Sequence, residues 1–540
     1  MAGALVIIDP STPEGVATLR RFKDGKELRL VMSDEFETDG RSFGKGADKL
    51  FEAIEKPDDT NQAIQFYNSS TDYVTTRGGS LVLSTKAVKT SWLQWDSDSL
   101  TPNKGTKNYT SGMVQTWNKF CFTGGVLEMS IRLPGKSDSG GLWPAAWLMG
   151  NLARATYDKS VQYMWPWSYD KCGEIRNLGG KQEINACDAS PPSGMMPHQG
   201  RGAPEIDIFE VMPGHQMPGY DQPIRPFMST SLQISPGIDS ARRPINGHPL
   251  NHSSNSWYDV RIGAHGEYNE GFWGQECGPV VDDSPERVHK YMEDAISANT
   301  WLNASHFDSH HTYRLEWQPG AEGYLQWFLD GEFVFAIDGK SVAALTGAVI
   351  PVEPMYLILN TAISHRWGMP EPCDIEHCPM CWRCYDCANP DCQCTLPQGM
   401  RGCKNLPAEM EVDFIRLYQD ADDASHTVGC SPDRYPTLRF IHDHPVRYED
   451  WHAYDGIFAG ISRPASYASV LALLLLAAAT LLYFRRRVGR RVEYSQLLDN
   501  KVAFLYGGAA EEGLELKGVQ LPYEPNSIFV QTLKERERAV

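Results

Sequence analysis

Glu205-Ile206-Asp207-Ile208-Phe209-Glu210 places three carboxylates in one short segment, the outer two five residues apart. Cleavage of a glycosidic bond needs two carboxyl groups flanking it, one charged and one protonated. This segment supplies both, with a third acid between them to tune the pair. The interleaved Ile, Ile and Phe give it the high β-propensity of a strand. Side chains alternate on a strand, so Glu205 and Asp207 share a face and Glu210 falls on the other. One residue looped out as a β-bulge would return Glu210 to the face of Glu205, and bulges recur beside active sites because they re-aim a side chain. On a flat strand the two glutamate Cα atoms would stand roughly 13 Å apart. A retaining mechanism needs the carboxyl groups at about 5–5.5 Å, so the strand must bend and the long side chains must lean together. The alternative is a polar edge strand that merely carries three acids.

The elements that must position these acids are β-strands. From about residue 28 to 420 the chain shows short β-type runs separated by Gly, Pro, Asn and Asp. Examples are Ser80–Ser84, Gly125–Ile131 and Tyr324–Phe328, the last followed by the hairpin signal Asp330-Gly331 and by Glu332–Ala336. This rhythm predicts an all-β fold, a β-jelly-roll sandwich with long loops. A single helix, taken as an insertion, is expected at Pro285–Ala298. Long loops are expected near 151–203 and 265–310, and their aromatic residues Trp165, Trp167 and Trp273 suit the walls of a cleft. Trp143 and Trp147 share strand parity and are candidates to stack on a sugar ring, although tryptophan in a sandwich also serves as core.

The chain has 540 residues, 41% apolar and 22% charged, with a net charge of −18. That charge argues against a nucleic-acid partner and is compatible with a neutral polysaccharide. No metal or cofactor is called for. Ala465 to Phe484 is twenty residues without a charge, long enough to span a bilayer as one carboxy-terminal transmembrane helix. Arg485, Arg486, Arg487, Arg490 and Arg491 follow, which predicts a cytoplasmic carboxyl end and a luminal or extracellular amino-terminal part. All thirteen cysteines, and the sequons at Asn68, Asn108, Asn251 and Asn303, precede the span, as an oxidising and glycosylating compartment requires. At the other end, Ala4–Ile8 is a short apolar run stopped by Asp9-Pro10, too short for a secretory signal, so a truncated amino terminus is expected. The resulting organisation is an amino-terminal extension over 1–27, the β domain over 28–430, a juxtamembrane linker over 431–464, the span over 465–484 and a cytoplasmic tail over 485–540.

Eight of the cysteines crowd into 373–403: Cys373, Cys378, Cys381, Cys384, Cys387, Cys392, Cys394 and Cys403. Repeated C-x-x-C spacing is compatible with zinc, but in an oxidising lumen a disulfide-stapled loop is expected. An odd total leaves at least one thiol free or paired with another chain. The tail is polar, with Tyr494-Ser495-Gln496-Leu497 shaped like a tyrosine-based sorting signal.

Glu205–Glu210 resembles the bulged catalytic motif of glycoside hydrolase family 16, the laminarinase-like enzymes. Met32–Phe36, Trp143–Trp147, His311–Trp317 with Asp330-Gly331, Pro354–Asn360 and Glu411–Tyr418 resemble other strands of that family in the expected order. Ser111–Gly125 (including Trp117), Gly200–Pro204, Gly429–Pro432 and Tyr435–Thr437 resemble its fungal-type membrane-bound branch, associated with cell-wall β-1,6-glucan synthesis. The resemblance implies a β-glucan glycosidase or transglycosidase in the secretory pathway or at the plasma membrane. Glu205 would be the nucleophile, Glu210 the acid/base and Asp207 the group that separates their pKa values, with Trp117 added to the sugar-binding candidates. Two departures, the carboxy-terminal position of the span and the eight-cysteine loop, point to a non-fungal lineage that makes or remodels β-glucan and leave the linkage, β-1,3 or β-1,6, open. Competing readings are a non-catalytic β-glucan-binding protein on the same fold and a scaffold whose tail recruits the glucan-synthesis machinery.

Overall fold

The computed structural model describes residues 7–96, 101–161, 164–172, 185–187, 189–214, 225–238, 257–269, 275–277, 291–365, 367, 378–380 and 383–449. The main strands are β1 (Glu27–Asp34), β2 (Ser80–Lys86), β3 (Met113–Gln115), β4 (Gly125–Arg132), β5 (Leu142–Gly150), β6 (Glu205–Met212) and β7 (Phe227–Ile234). They continue with β8 (Tyr291–Trp301), β9 (His311–Gln318), β10 (Tyr324–Leu329), β11 (Glu332–Asp338), β12 (Met355–Ile363) and β13 (Ala408–Gln419). One sheet runs β8-β7-β6-β5-β12-β3 and the other β11-β10-β9-β4-β13-β2, with β1 added alongside β13. These main strands pair antiparallel with their neighbours, the pattern of a β-sandwich of jelly-roll type. Alternation drives the packing: Ala146, Leu148, Ile206 and Leu357 from the first sheet meet Leu127, Met129, Leu315 and Leu417 from the second in one core. The hairpin between β10 and β11 turns through Asp330 and Gly331, both at positive φ (51° and 80°), as its sequence requires.

Two expectations are corrected. The helix expected at Pro285–Ala298 is a strand where it is described: β8 pairs along its length with β7, from Phe227↔Trp301 to Ile234↔Asp294. Glu, Asp, Ala and Asn favour strands poorly, but a continuous ladder outweighs that preference. The expected loop at 265–310 therefore holds β8 and the short strand Gly266–Tyr268. The β domain also does not end at 430. Residues up to 449 pack on it through the helices Leu438–Asp443 and Pro445–Tyr448, with Phe440, Ile441 and Tyr448 in a second apolar cluster beside Met113, Met149 and Tyr356. Residues 431–449, expected as part of the linker, therefore belong to the β domain.

Five disulfides lie among the described residues. Cys378–Cys394, Cys384–Cys392 and Cys387–Cys403 staple the cysteine-rich loop, whose Cys387, Cys392, Leu396 and Met400 pack on Tyr109, Leu142 and Ile363. Sulfurs paired in this way are not thiolate ligands for zinc. Cys373 and Cys381 lie outside the described residues, as do the apolar run 465–484, the tail and the amino-terminal run at 4–6. Among the described residues no helix is long and apolar enough to cross a membrane.

Candidate active site

The five-residue spacing is resolved by a bulge in β6. Against β5 the partners are Trp147↔Asp207 and Ala146↔Phe209, which leaves Ile208 unpaired. Against β7 they are Asp207↔Ser231 and Glu210↔Ser229, so Ile208 and Phe209 together face Thr230. Ile206, Ile208, Phe209 and Val211 all enter the core, while Glu205, Asp207 and Glu210 line a cavity of about 340 Å³ on the other face. Trp327 of β10 reaches across the sandwich and donates from Nε1 to the Asp207 carbonyl at 2.9 Å, fixing the irregular backbone from below.

Each acid has its own donors. Glu205 accepts from Trp165 Nε1 at 2.7 Å and from Gln233 Nε2 at 2.7 Å. Asp207 accepts from the same Gln233 nitrogen at 3.0 Å and from the Ser231 hydroxyl, and it shares a hydrogen bond with Glu205. Glu210 accepts from Trp143 Nε1 at 3.1 Å. None of these donors is a cation. Burial is the main force on all three groups, raising Glu205 and Glu210 well above the ordinary carboxylate range and Asp207 to about 6. Mutual repulsion adds to it: the charges of Asp207 and Glu210 push Glu205 up, and that of Asp207 pushes Glu210 up. The donors work the other way, holding charge on Glu205 and Asp207, so the triad titrates as one coupled unit.

The chain approaches β6 through Gly200–Pro204, and the geometry explains that run. Arg201 is fully buried and grips Glu353 bidentately at 2.7 and 2.8 Å, with Nη1 on the Pro436 carbonyl at 2.8 Å. A Cβ on Gly202 would stand 2.2 Å from the Trp167 carbonyl and one on Gly200 2.3 Å from that of Tyr169, so no side chain fits. The entry to the acid strand is thereby locked to the turn before β12 and to the carboxy-terminal segment.

The expected aromatic residues divide. Trp143 and Trp147 line the cavity. The first stacks on Trp367 at 5.3 Å while donating to Glu210, and the second donates to Asn360 Oδ1 at 2.9 Å, which in turn holds Tyr67. Trp117 lies elsewhere, stacked on Tyr448 at 5.6 Å with its Nε1 on the Asn151 carbonyl. From the loop expected to wall the cleft, Trp165 does line it, Trp167 is core, and Trp273 lies outside the described residues. Sequence reasoning did not find Ser231 and Gln233. Their signal was the polar row Ser229, Ser231, Gln233 at period two, legible only once β7 is known to neighbour β6. Among the sequons, Asn303 is exposed, Asn68 and Asn108 are half-buried, and Asn251 lies outside the described residues.

Residues 2–259, 287–383 and 400–465 match the model of the β-glucan synthesis-associated protein family SKN1/KRE6/Sbg1. The chain belongs to that family. It is 31% identical over 467 residues to the β-glucan synthesis-associated protein KRE6 of Candida albicans, covering 82% of this chain and 53% of the relative. It is 30% identical over 485 residues to SKN1 of Saccharomyces cerevisiae, covering 85% and 52%. The chain thus spans about half the length of the curated relatives it matches. Residues 384–399, inside the cysteine-rich loop, fall between matched segments of the family model. Among solved structures it is similar to an endo-β-1,3-glucanase from Pyrococcus furiosus, with 18% identity, a TM-score of 0.39 and coverage of 76% of this chain and 98% of that one. The laminarinase catalytic domain from Thermotoga maritima gives 17%, 0.38, 73% and 99%.

Proposed function

We propose that this member of the β-glucan synthesis-associated family is a retaining glycosidase or transglycosidase acting on β-glucan. The observation that carries it is the bulge at Ile208, which sets Glu205, Asp207 and Glu210 together on the floor of one cleft. Seven carboxylates line that cleft, the triad together with Asp58, Asp158, Glu293 and Asp294, and no Lys or Arg does among the described residues. A site of that charge repels uronic or sulfated polymers and suits a neutral glucan. The family's association with β-glucan synthesis supports the same substrate.

In the proposed reaction the Glu205 carboxylate attacks the anomeric carbon as the bond to the leaving sugar oxygen breaks, and Glu210 gives that oxygen its proton. Glu205 becomes charged by passing the proton it shares with Asp207 to that neighbour, after which Trp165, Gln233 and Asp207 all donate to it. Glu210, with one donor, is the group that keeps a proton. In the second half an acceptor hydroxyl returns a proton to Glu210 and bonds to the anomeric carbon, releasing Glu205. Water as acceptor gives hydrolysis and a glucan hydroxyl gives transfer; family membership favours transfer. The cysteine pairing and the position of the sequons support a β domain outside the cytosol, anchored by 465–484.

The test is incubation of the full chain with β-1,3- and β-1,6-linked oligosaccharides, with product sizes read by mass spectrometry. Products longer than the donor mean transfer, and only shorter ones mean hydrolysis. If neither forms, and Glu205→Gln binds glucan as the wild type does, the protein is a binding module.

A further inference from the structure

Thr156 lines the cleft at a φ of 69°, in the left-handed region where a β-branched residue is a genuine outlier. Its hydroxyl is buried without a hydrogen-bond partner among the described residues. Two costs thus fall on one side chain at the cleft wall, a strained backbone and an unsatisfied polar group. A glycine would meet the same backbone demand without the first and remove the second.

The surroundings impose that conformation. Ala155 N donates to the Tyr356 hydroxyl at 2.8 Å, and Tyr157 N donates to the Arg154 carbonyl at 3.0 Å. Arg154 is clamped in turn, with Nη1 on the Tyr448 carbonyl at 2.7 Å, Nη2 on Glu52 at 3.2 Å, and its guanidinium between the rings of Trp117 (4.3 Å) and Tyr157 (4.2 Å). The Tyr448 hydroxyl holds the Leu152 carbonyl at 2.7 Å, and the Cys121–Cys430 disulfide ties down the start of the same carboxy-terminal segment. The turn is therefore over-determined from both sides, and the side chain it presents is the part the fold itself does not need.

We propose that Thr156 is a specificity-determining residue of the cleft, its hydroxyl exchanging a hydrogen bond with a hydroxyl of the bound glucan, in a turn held in place by residues 430–449. The proposal rests on the glucan reading above. It is tested by calorimetric binding of β-1,3- and β-1,6-linked oligosaccharides to the full chain in a Glu210→Gln background, so that turnover does not enter. Thr156→Gly is expected to keep or raise the melting temperature while weakening binding of one linkage series roughly threefold to tenfold, the worth of one hydrogen bond. Thr156→Val is expected to bind as weakly, and Thr156→Ser to recover most of the loss. Wild-type affinity in both the Gly and Val variants overturns the role of Thr156 and leaves the glucan reading standing. So does a fall in melting temperature with Thr156→Gly, which would make the turn purely structural. Absence of binding by the parent protein to either series overturns both.

Discussion

Both sheets of the sandwich bury carboxylates, and they treat them oppositely. On the β1-β13-β4-β9 side, Glu35 is held bidentately by Arg416 at 2.9 and 2.7 Å. There Glu316 accepts from Arg314 at 2.6 Å and from the Phe22 amide at 2.7 Å, and Arg314 also stands 3.9 Å from Glu128. In the cleft Glu205 and Asp207 are buried and Glu210 half-buried, yet their side-chain hydrogen-bond donors among the described residues are indoles, an amide and a hydroxyl. Pairing with arginine fixes a charge permanently, and neutral donors leave it free to change. The first arrangement holds strands together and the second is suited to moving protons.

The sharpest way to break that contrast is to neutralise one acid on each side. Glu205→Gln and Glu210→Gln should each lower turnover by roughly a thousandfold or more while leaving the melting temperature unchanged or higher, because one of three mutually repelling buried acids is gone. Arg416→Met should do the reverse, stranding Glu35 without its cation. It should cost about 3–5 kcal/mol in denaturant unfolding, with the activity of the folded fraction preserved. A melting temperature that falls with Glu210→Gln, or stays level with Arg416→Met, would erase the distinction.

Acidification should separate the sheets more gently. A carboxyl whose folded pKa lies above its unfolded one binds more protons when folded, so its group destabilises progressively as pH rises. For Asp207, raised to about 6 from an unfolded value near 4, that loss accumulates between those two values. The melting temperature should rise from pH 7 to pH 5, and Asp207→Asn should flatten this slope. The smallest effect concerns Trp143, whose indole favours the charged form of Glu210. Trp143→Phe should move the alkaline limb of the pH–rate profile upward by roughly half a unit, in the direction that loss of one neutral donor dictates.

The sandwich was legible because its strands obey alternation, and the acid segment because its spacing disobeys it. The bulge followed from Glu205, Asp207 and Glu210 alone. What could not be read was which strand lies next to which, and so the donors Ser231 and Gln233 stayed hidden although they sit in an ordinary polar alternation, while Trp165 was legible as a cleft wall but not as a donor to Glu205. The same gap misassigned β8, whose Glu293, Asp294 and Ala295 look helical until β7 is placed beside them. Trp117 misled for a related reason. Its motif marks the family, but its ring supports Arg154 and Tyr448 instead of the cleft.

Ile208 repays a count of residues. With it removed, Glu205, Asp207 and Glu210 would still alternate with Ile206, Phe209 and Val211 on an ordinary ladder, so the acids would keep their side. The extra residue therefore adds no sidedness that a shorter strand would lack; it adds one residue to an unchanged number of ladder positions. It works as a vernier, stretching five ladder positions over six residues so that the two outer carboxyl groups are re-aimed without either changing sides. The spacing of the outer carboxylates is thus open to change by a single-residue deletion, a kind of change that leaves most strands out of register and would leave this one in it.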